Sequence, residues 1–470
     1  LATVTYVRDV SGVQPRVLRG AIGVGLAGNE SAPLPEQGVL ANINLDRVDI
    51  DAWEAALSRA AGAPITAGGG VAVAGAPSDY LPTQIAVRAR ELTVEGRALH
   101  NLVVGGTREG TTWRANLDAT ELNGYVEYRQ PVGAGTAGGR LYARLARMAI
   151  GAGETRDVED ILEQQPDALP ALDIVVEDFE LRGKRLGRVE IEALNRGTTA
   201  AGREWRLAKF NVVSPEAIFA ATGNWAALSA AEAPRSAGRR EAGRRRTVMN
   251  FRLDISNAGE LLARHGMKGV VRRGKGRMEG QVAWLGSPLS PDYPSMNGQF
   301  TVNVEEGQFL KADPGIAKLL GVLSLQSLPR RLALDFRDVF SEGFQFDFVR
   351  GDVTIERGMA ATNNLQMKGV NAAVLMEGRA DIARETQDLK VVVVPEINAG
   401  TASLVATVIN PAVGLGTFLA QYFLREPLQR AATQEFHIDG TWSDPRVNRV
   451  ARTPGAPQAA GRGDAGPVTR

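Results

Sequence analysis

The chain contains no cysteine among its 470 residues. Disulfides, thiolate metal sites and cysteine nucleophiles are excluded, and the redox compartment stays open, an oxidising periplasm included. Histidine is nearly as scarce. His100, His265 and His437 lie far apart, none in a metal-ligand spacing, so each reads as a surface or turn residue. A charge excess is missing too: 54 basic residues face 53 acidic ones, a net charge of +1. Surfaces that track nucleic-acid phosphates carry a strong basic excess, so no nucleic-acid partner is expected. The sequence begins at Leu1 with no methionine and no charged-then-apolar leader. The expectation is a true N-terminus further upstream, with any signal or membrane anchor there.

Catalytic constellations are absent from the pattern as well. Asp347, Asp352 and Glu356 fall on the polar phase of alternating stretches, where solvated faces explain them better than an acid/base pair. Gly23-Val-Gly25-Leu-Ala-Gly28 matches the dinucleotide fingerprint letter for letter. That motif works only where a helix starts at the glycines and holds a pyrophosphate at its N-terminus. Pro33 and Pro35 stand where the helix would run, so the match is a decoy. Gly68 to Gly70 reads as a turn. No cofactor or metal is expected.

What the sequence does contain is alternation. From Gln299 to Glu396, apolar and polar residues take turns: Phe300, Val302 and Val304, then Leu334 and Phe336, then Phe344, Phe346 and Phe348, Val353 and Ile355, Leu365 and Met367. Strand side chains point alternately to opposite faces, so each stretch builds a sheet with one apolar and one polar side. The 53 glycines and 23 prolines suit many strands joined by turns, and 44% hydrophobic residues suit a folded chain. The expected fold is mainly β: an elongated, curved antiparallel sheet forming an open apolar groove, with a few short helices and a helical C-terminal segment. The residues just named are the candidates for lining the groove.

Two stretches pair up as units of one β-meander. One runs from Glu91 through a turn at Gly96 to Thr112-Trp113 and Leu122–Tyr125; the other from Phe179 through Gly183 to Glu204-Trp205 and Gly223–Trp225. They read as a divergent repeat or as chance likeness between β-rich segments. The expected organisation is repeating meanders over 1–228, with a short helix near 52–61 opened by a capping box at Asp51 and Glu54. An Arg/Ala/Gly-rich loop follows at 229–246, then a second β region at 247–450 and a disordered tail at 451–470. Within 247–450, Ser256 is placed to cap a helix ending near Gly266, and Asp313-Pro314 opens a third near 314–326. The loop's arginines suit either plain solvation or acidic lipid headgroups.

Between Glu396 and Arg425 no residue is charged. The segment is long enough to span a bilayer, which takes about 20 residues, but Pro411, Gly414 and Gly416 interrupt it. Two readings stand for 397–424: short helices docked on the sheet as a lid, or contact with a bilayer leaflet. The membrane-contact candidates are Val405, Ile409, Val413, Phe418, Tyr422 and Phe423.

From Ser256 onward, several stretches resemble the C-terminal region of the bacterial AsmA-like family, in its very long YhdP branch. They are Gln281–Pro288, Leu319–Leu325, Leu328–Leu332 with Leu334–Phe336, Gly343–Asp347 and the closing Gly440–Pro445. Together they cover roughly the last 200 residues; the earlier half resembles the family's β units more loosely. The resemblance implies a non-enzymatic protein of the Gram-negative envelope, anchored in the inner membrane by its upstream part. Its periplasmic body would move phospholipid towards the outer membrane. The implied partners are acyl chains, the inner leaflet of the outer membrane and the upstream part of the same protein. No catalytic motif comes with it. Two competitors remain: an envelope scaffold whose sheets pack into a dry core, and an enzyme of envelope glycans or lipids, which needs paired carboxylates.

Overall fold

The structure, a computed structural model, describes residues 2–12, 16–27, 32–49, 52, 80–94, 97–131, 138–151, 169–181, 183–197, 204–228, 245–288, 291–310, 344–369, 372–395, 409, 412–425 and 433–450. Several expected features lie outside these residues: most of the helix near 52–61, the helix near 314–326, Leu334, Phe336, Val405, residues 229–244 and the tail. The side chains of Phe344, Tyr422 and Phe423 do too. Strands make up 72% of what is described, so the mainly β expectation holds.

The strands run in chain order. First come β1 (Ala2–Asp9), β2 (Arg16–Val24), β3 (Gly38–Asp49), β4 (Gln84–Val94), β5 (Arg97–Glu109), β6 (Thr112–Asp118) and β7 (Leu122–Arg129). Then follow β8 (Arg140–Ile150), β9 (Ala171–Leu181), β10 (Lys184–Arg196), β11 (Glu204–Val213), β12 (Ala217–Ala227) and β13 (Arg245–Ile255). Helix α1 (Ala258–Arg264) precedes β14 (Val271–Leu285), β15 (Asn297–Phe309), β16 (Phe344–Glu356), β17 (Met359–Gly369), β18 (Ala372–Asp381) and β19 (Thr386–Pro395). Helix α2 (Gly414–Arg425), β20 (Gln434–Thr441) and β21 (Pro445–Arg449) close the order. The 21 strands belong to one open sheet, and its ladders are mainly antiparallel.

Two compact units divide the chain: Leu1–Gln308 with Asp352–Ala360, and Phe309–Gly351 with Ala361–Arg470. In the first, each strand from β1 to β14 hydrogen-bonds to the next. Three of these neighbours are parallel, β2–β3, β3–β4 and β8–β9. Parallel partners cannot be joined by a tight turn, and the connections from Asp49 to Gln84 and from Ile150 to Ala171 are accordingly long. The meanders β4–β7 and β9–β12 share one antiparallel order, each entered through a parallel neighbour, with Trp113 on β6 and Trp205 on β11.

Gly25 ends β2 at φ 70°, and a Cβ there would stand 1.9 Å from the Asn44 carbonyl oxygen. Only glycine fits this left-handed, crowded turn, and no helix follows among the described residues. That agrees with the decoy reading of the fingerprint. The cap of α1 differs from expectation by one residue. Asn257 Oδ1 accepts from the Glu260 amide at 3.2 Å, while the Ser256 hydroxyl donates to the Pro215 carbonyl instead. Both are good capping residues, and the neighbouring turn has claimed the first. Arg245 and Arg246, placed in the loop by composition, are the opening residues of β13.

The second unit is built differently. In β18 and β19, Ala372 to Leu375 and Val391 to Val394 are buried without alternation. One face packs Leu375, Val392 and Val394 under Ile409 and the α2 residues Leu415 and Leu419, with Phe418 alongside. Two buried amides support this docking. Asn364 donates to the Ile409 carbonyl at 3.3 Å, and Gln366 accepts from Arg350 at 3.0 Å. Burial lowers the pKa of Arg350, whose guanidinium stacks on Phe348 at 4.0 Å.

Candidate functional site

The ladders of the first unit sort its side chains into two faces. In β13, Met249, Phe251, Leu253 and Ile255 share one face while Asn250, Arg252 and Asp254 share the other. Following the register outward, the Phe251 row contains Ile191, Phe210, Ala221 and Gly280. The Leu253 row contains Val189, Val212, Phe219 and Met278. The same face continues through Ile174, Ala143, Val126, Ala115, Gly106, Ile85, Ala41 and Ile22 to Val4 on β1. Every strand contributes, and none interrupts the apolar surface with a charge at this level.

Most large side chains of the central rows are half-buried: Phe210, Val212, Phe219, Met249, Phe251, Leu253 and Met278. Beside them Ala143, Leu145, Val176 and Val189 are buried in one apolar cluster, against which Phe210 and Val212 pack. From Met249 to Ile255 the strip is about 20 Å wide at roughly 3.3 Å per residue. A leaflet's hydrocarbon layer is roughly 15 Å deep. Strands about 4.8 Å apart carry the strip for roughly 60 Å along β1–β14.

An aromatic track crosses it. Phe210 meets Phe219 edge-on at 5.7 Å, Phe219 stacks with Phe251 at 6.4 Å, and Phe251 lies 6.4 Å from Phe300 on β15. The last contact spans β14, where Gly280 stands between the rings. A Cβ on Gly280 would come within 2.5 Å of the Phe300 Cβ. The missing side chain is what lets the rings approach.

The opposite face is polar. Asp254 is held by Arg252 and Arg277, each at 2.7 Å, and Glu190 by Lys209 at 2.5 Å and Arg188 at 2.8 Å. These hydrogen-bonding cations keep both carboxyls below their ordinary pKa. At one end of the strands, α1 bridges neighbouring turns. Arg264 pairs with Glu216, which is 5% exposed, and donates to the Arg185 carbonyl at 2.7 Å. Lys184 donates to the His265 carbonyl at 2.8 Å.

Phe300, Val302 and Val304 share one phase of β15, half-buried, with Thr301, Asn303 and Glu305 exposed between them. Phe300 joins the aromatic track, and Val304 lies beside Gly274 at the α1 end. Val353, half-buried, and Ile355, 5% exposed, also belong to the first unit. Phe346 and Phe348 belong to the second, as do Leu365 and Met367. Phe346 is 2% exposed against Phe309, which makes it a packing residue. Of the membrane-contact candidates, Ile409 is 1% exposed and Phe418 packs beside it, whereas Val413 is 43% exposed. Leu424, an apolar residue of the uncharged segment outside the membrane-contact candidates, is 84% exposed on α2. Phe210, Phe219 and Phe251 were not among the candidates, although Met249-x-Phe251-x-Leu253-x-Ile255 alternates as clearly as anything after residue 299.

Among the described residues no cluster of histidines and carboxylates could hold a metal ion, and no helix is long and apolar enough to cross a membrane. His100 pairs with Glu121 at 2.6 Å, His265 closes α1, and His437 lies 3.6 Å from Asp388.

Comparison with known proteins adds three findings. The profile of one family, described as YhdP protein, matches residues 2–447. Intermembrane phospholipid transporter YhdP of Escherichia coli (strain K12) is 30% identical over 213 residues. That alignment takes in 45% of this chain but 17% of the relative, so the chain spans well under two thirds of that protein's length. No solved structure matches.

Proposed function

The chain belongs to the YhdP family, and from that premise we propose that its apolar face carries phospholipid tails between membranes of a Gram-negative envelope. The observation that carries the reading is the apolar face of β1–β15, half-buried along the aromatic track and backed by a charged face. Tails seated on the strip leave water, at roughly 0.8 kcal/mol for each methylene covered. Ten methylenes make that roughly 8 kcal/mol. Relative to a bilayer the same tails gain almost nothing, since hydrocarbon is as apolar as leucine. Such a surface lowers the barrier to crossing water without trapping the cargo, and the step needs no bond chemistry.

The rest of the reading concerns the whole protein. Its body lies in the periplasm, an upstream segment anchors it to the inner membrane, and delivery to the outer membrane maintains that membrane's lipid. The exposed side of α2 supports contact with the acceptor leaflet: Gly416, Thr417, Ala420, Gln421 and Leu424 are uncharged and face outward. The competing scaffold reading draws support from β18 and β19, whose two faces are both closed.

Mass spectrometry of lipid extracted from the purified chain tests the transfer reading. Phospholipid should co-purify with the wild type and be lost from Phe251→Asp and Val302→Asp variants that remain folded. A lipid-free wild type, or full loading of both variants, would overturn it.

A further inference from the structure

One row of the apolar face is unlike the others. Along a single register line across β10–β14 stand Asn195, Trp205, Trp225, Thr247 and Trp284. Each has an apolar body and a hydrogen-bond donor. Four donors find main-chain carbonyls of the protein: Asn195 reaches Leu169 at 2.7 Å and Trp205 reaches Pro170 at 2.9 Å. Thr247 reaches Gly286 and Trp284 reaches Ser287, both at 2.8 Å. The central donor, Trp225 Nε1–H, has none, although the residue is 1% exposed. A buried donor left unpaired costs about 1–3 kcal/mol, and native structures keep few of them. Beside it the Arg245 guanidinium stacks on the Trp225 ring, 4.1 Å from the centroid.

The row borders the strip. One step inward lie Ala193 and Leu207, buried with Trp205 and Trp225 in one apolar cluster, then Gly223 and the half-buried Met249 and Val282, and beyond them the aromatic track. A lipid whose tails lie along the aromatic track and the half-buried Met249 and Val282 brings its first polar oxygens to the level of Trp225. We propose that Trp225 Nε1–H and Arg245 form a headgroup site, the indole donating to a phosphodiester oxygen and the guanidinium supplying the opposing charge. The inference rests on the lipid-carrying reading above. Arg245 covers the ring, and a flexible arginine that swings from an aromatic face onto an anion keeps a partner throughout. An acyl-binding face alone would not distinguish a phospholipid from the diacylglycerol with the same tails. This site would.

The test is a competition between a phospholipid and the diacylglycerol of matched chains, read by native mass spectrometry on the full chain. Wild type should favour the phospholipid. Trp225→Phe keeps the ring and deletes the donor, and should cut that preference roughly tenfold, the size of one hydrogen bond to a charged acceptor. Diacylglycerol retention should not change. Arg245→Gln should cut the preference as well, which covers the case of a misfolded Trp225→Phe. A shift of the Trp225 indole N–H resonance on adding phospholipid, but not diacylglycerol, would support the site directly. Equal preference in wild type and both variants, all still holding phospholipid, overturns this inference alone and leaves a water as the acceptor. A wild type that holds neither lipid sinks the transfer reading with it.

Discussion

Strand β13 of the first unit and strand β19 of the second are both rich in large apolar residues, yet they are used in opposite ways. In β13 the apolar residues alternate with Asn250, Arg252 and Asp254, and Phe251 and Leu253 stay half-buried. In β19 four valines follow one another, Val391 to Val394, at 2%, 0%, 4% and 2% exposure. Helix α2 lies on Val392 and Val394, while Val391 and Val393 share the other face with Val374 and Phe436. A strand covered on both sides cannot afford a polar phase, whereas a strand with one wet side requires it. The contrast separates a half-buried apolar face from a core closed on both sides.

The sharpest way to break the comparison is to place the same charge in both strands. Val392→Asp strands a carboxylate between two packed layers and should cost more than about 4 kcal/mol, enough to unfold the second unit. Phe251→Asp should cost about 1–2 kcal/mol and leave the fold standing while lipid is lost. Thermal melts with lipid analysis decide. Equal destabilisation would mean that the first unit's face is as closed as the second's. Phe346→Asp belongs with Val392→Asp, because Phe346 is buried.

A smaller effect is expected from adding bulk. Gly280→Val would put a Cβ 2.2 Å from the Gln299 carbonyl oxygen and 2.5 Å from the Phe300 Cβ. The expected loss is about 1–3 kcal/mol, with the Phe251–Phe300 contact parted and lipid loading reduced. Unchanged stability and loading would show that the aromatic track is incidental.

Acid sharpens the picture at the α1 end. Hydrogen bonding from Arg264 lowers the pKa of Glu216 below its ordinary 4.5. A depressed carboxylate contributes stability that is complete above the unfolded pKa and disappears as pH falls through the folded one. Glu216→Gln should therefore melt earlier than wild type at pH 7, and the gap should narrow as pH drops below about 4.5. A gap that stays constant with pH would remove the ion pair from the account.

The smallest effect is predicted on the polar face. Asp254→Asn breaks two exposed ion pairs, should lower the melting temperature by no more than about 2 °C, and should leave lipid loading intact. Loss of loading there would place the working surface on the wrong side of the sheet.

Much of the fold could be read directly. Phe300, Val302 and Val304 fall on the expected phase, because a period of two leaves no choice of face. The run of four valines was equally visible and carried the opposite message. Less could be read where contacts join distant segments. The cap of α1 moved from Ser256 to Asn257 because Pro215, far away in the chain, offered Ser256 a carbonyl. Phe210, Phe219, Phe251 and Phe300 come from four strands separated by turns and a helix, and nothing in their spacing announces a track. For Ile409, pattern left docking and membrane contact open, and only the contacts with Leu375 and Asn364 place it in the core.

The sequence alone set that thiol chemistry is closed to this chain and which side of each strand is apolar, since both follow from residue type and a two-residue repeat. It could not determine which of those sides would be roofed. Roofing depends on a partner brought in from elsewhere, as α2 is brought to β19, and local pattern carries no information about that partner. The unpaired indole of Trp225 belongs to the same class. Its donor is written in the sequence, but its lack of an acceptor is decided only where five strands meet in register.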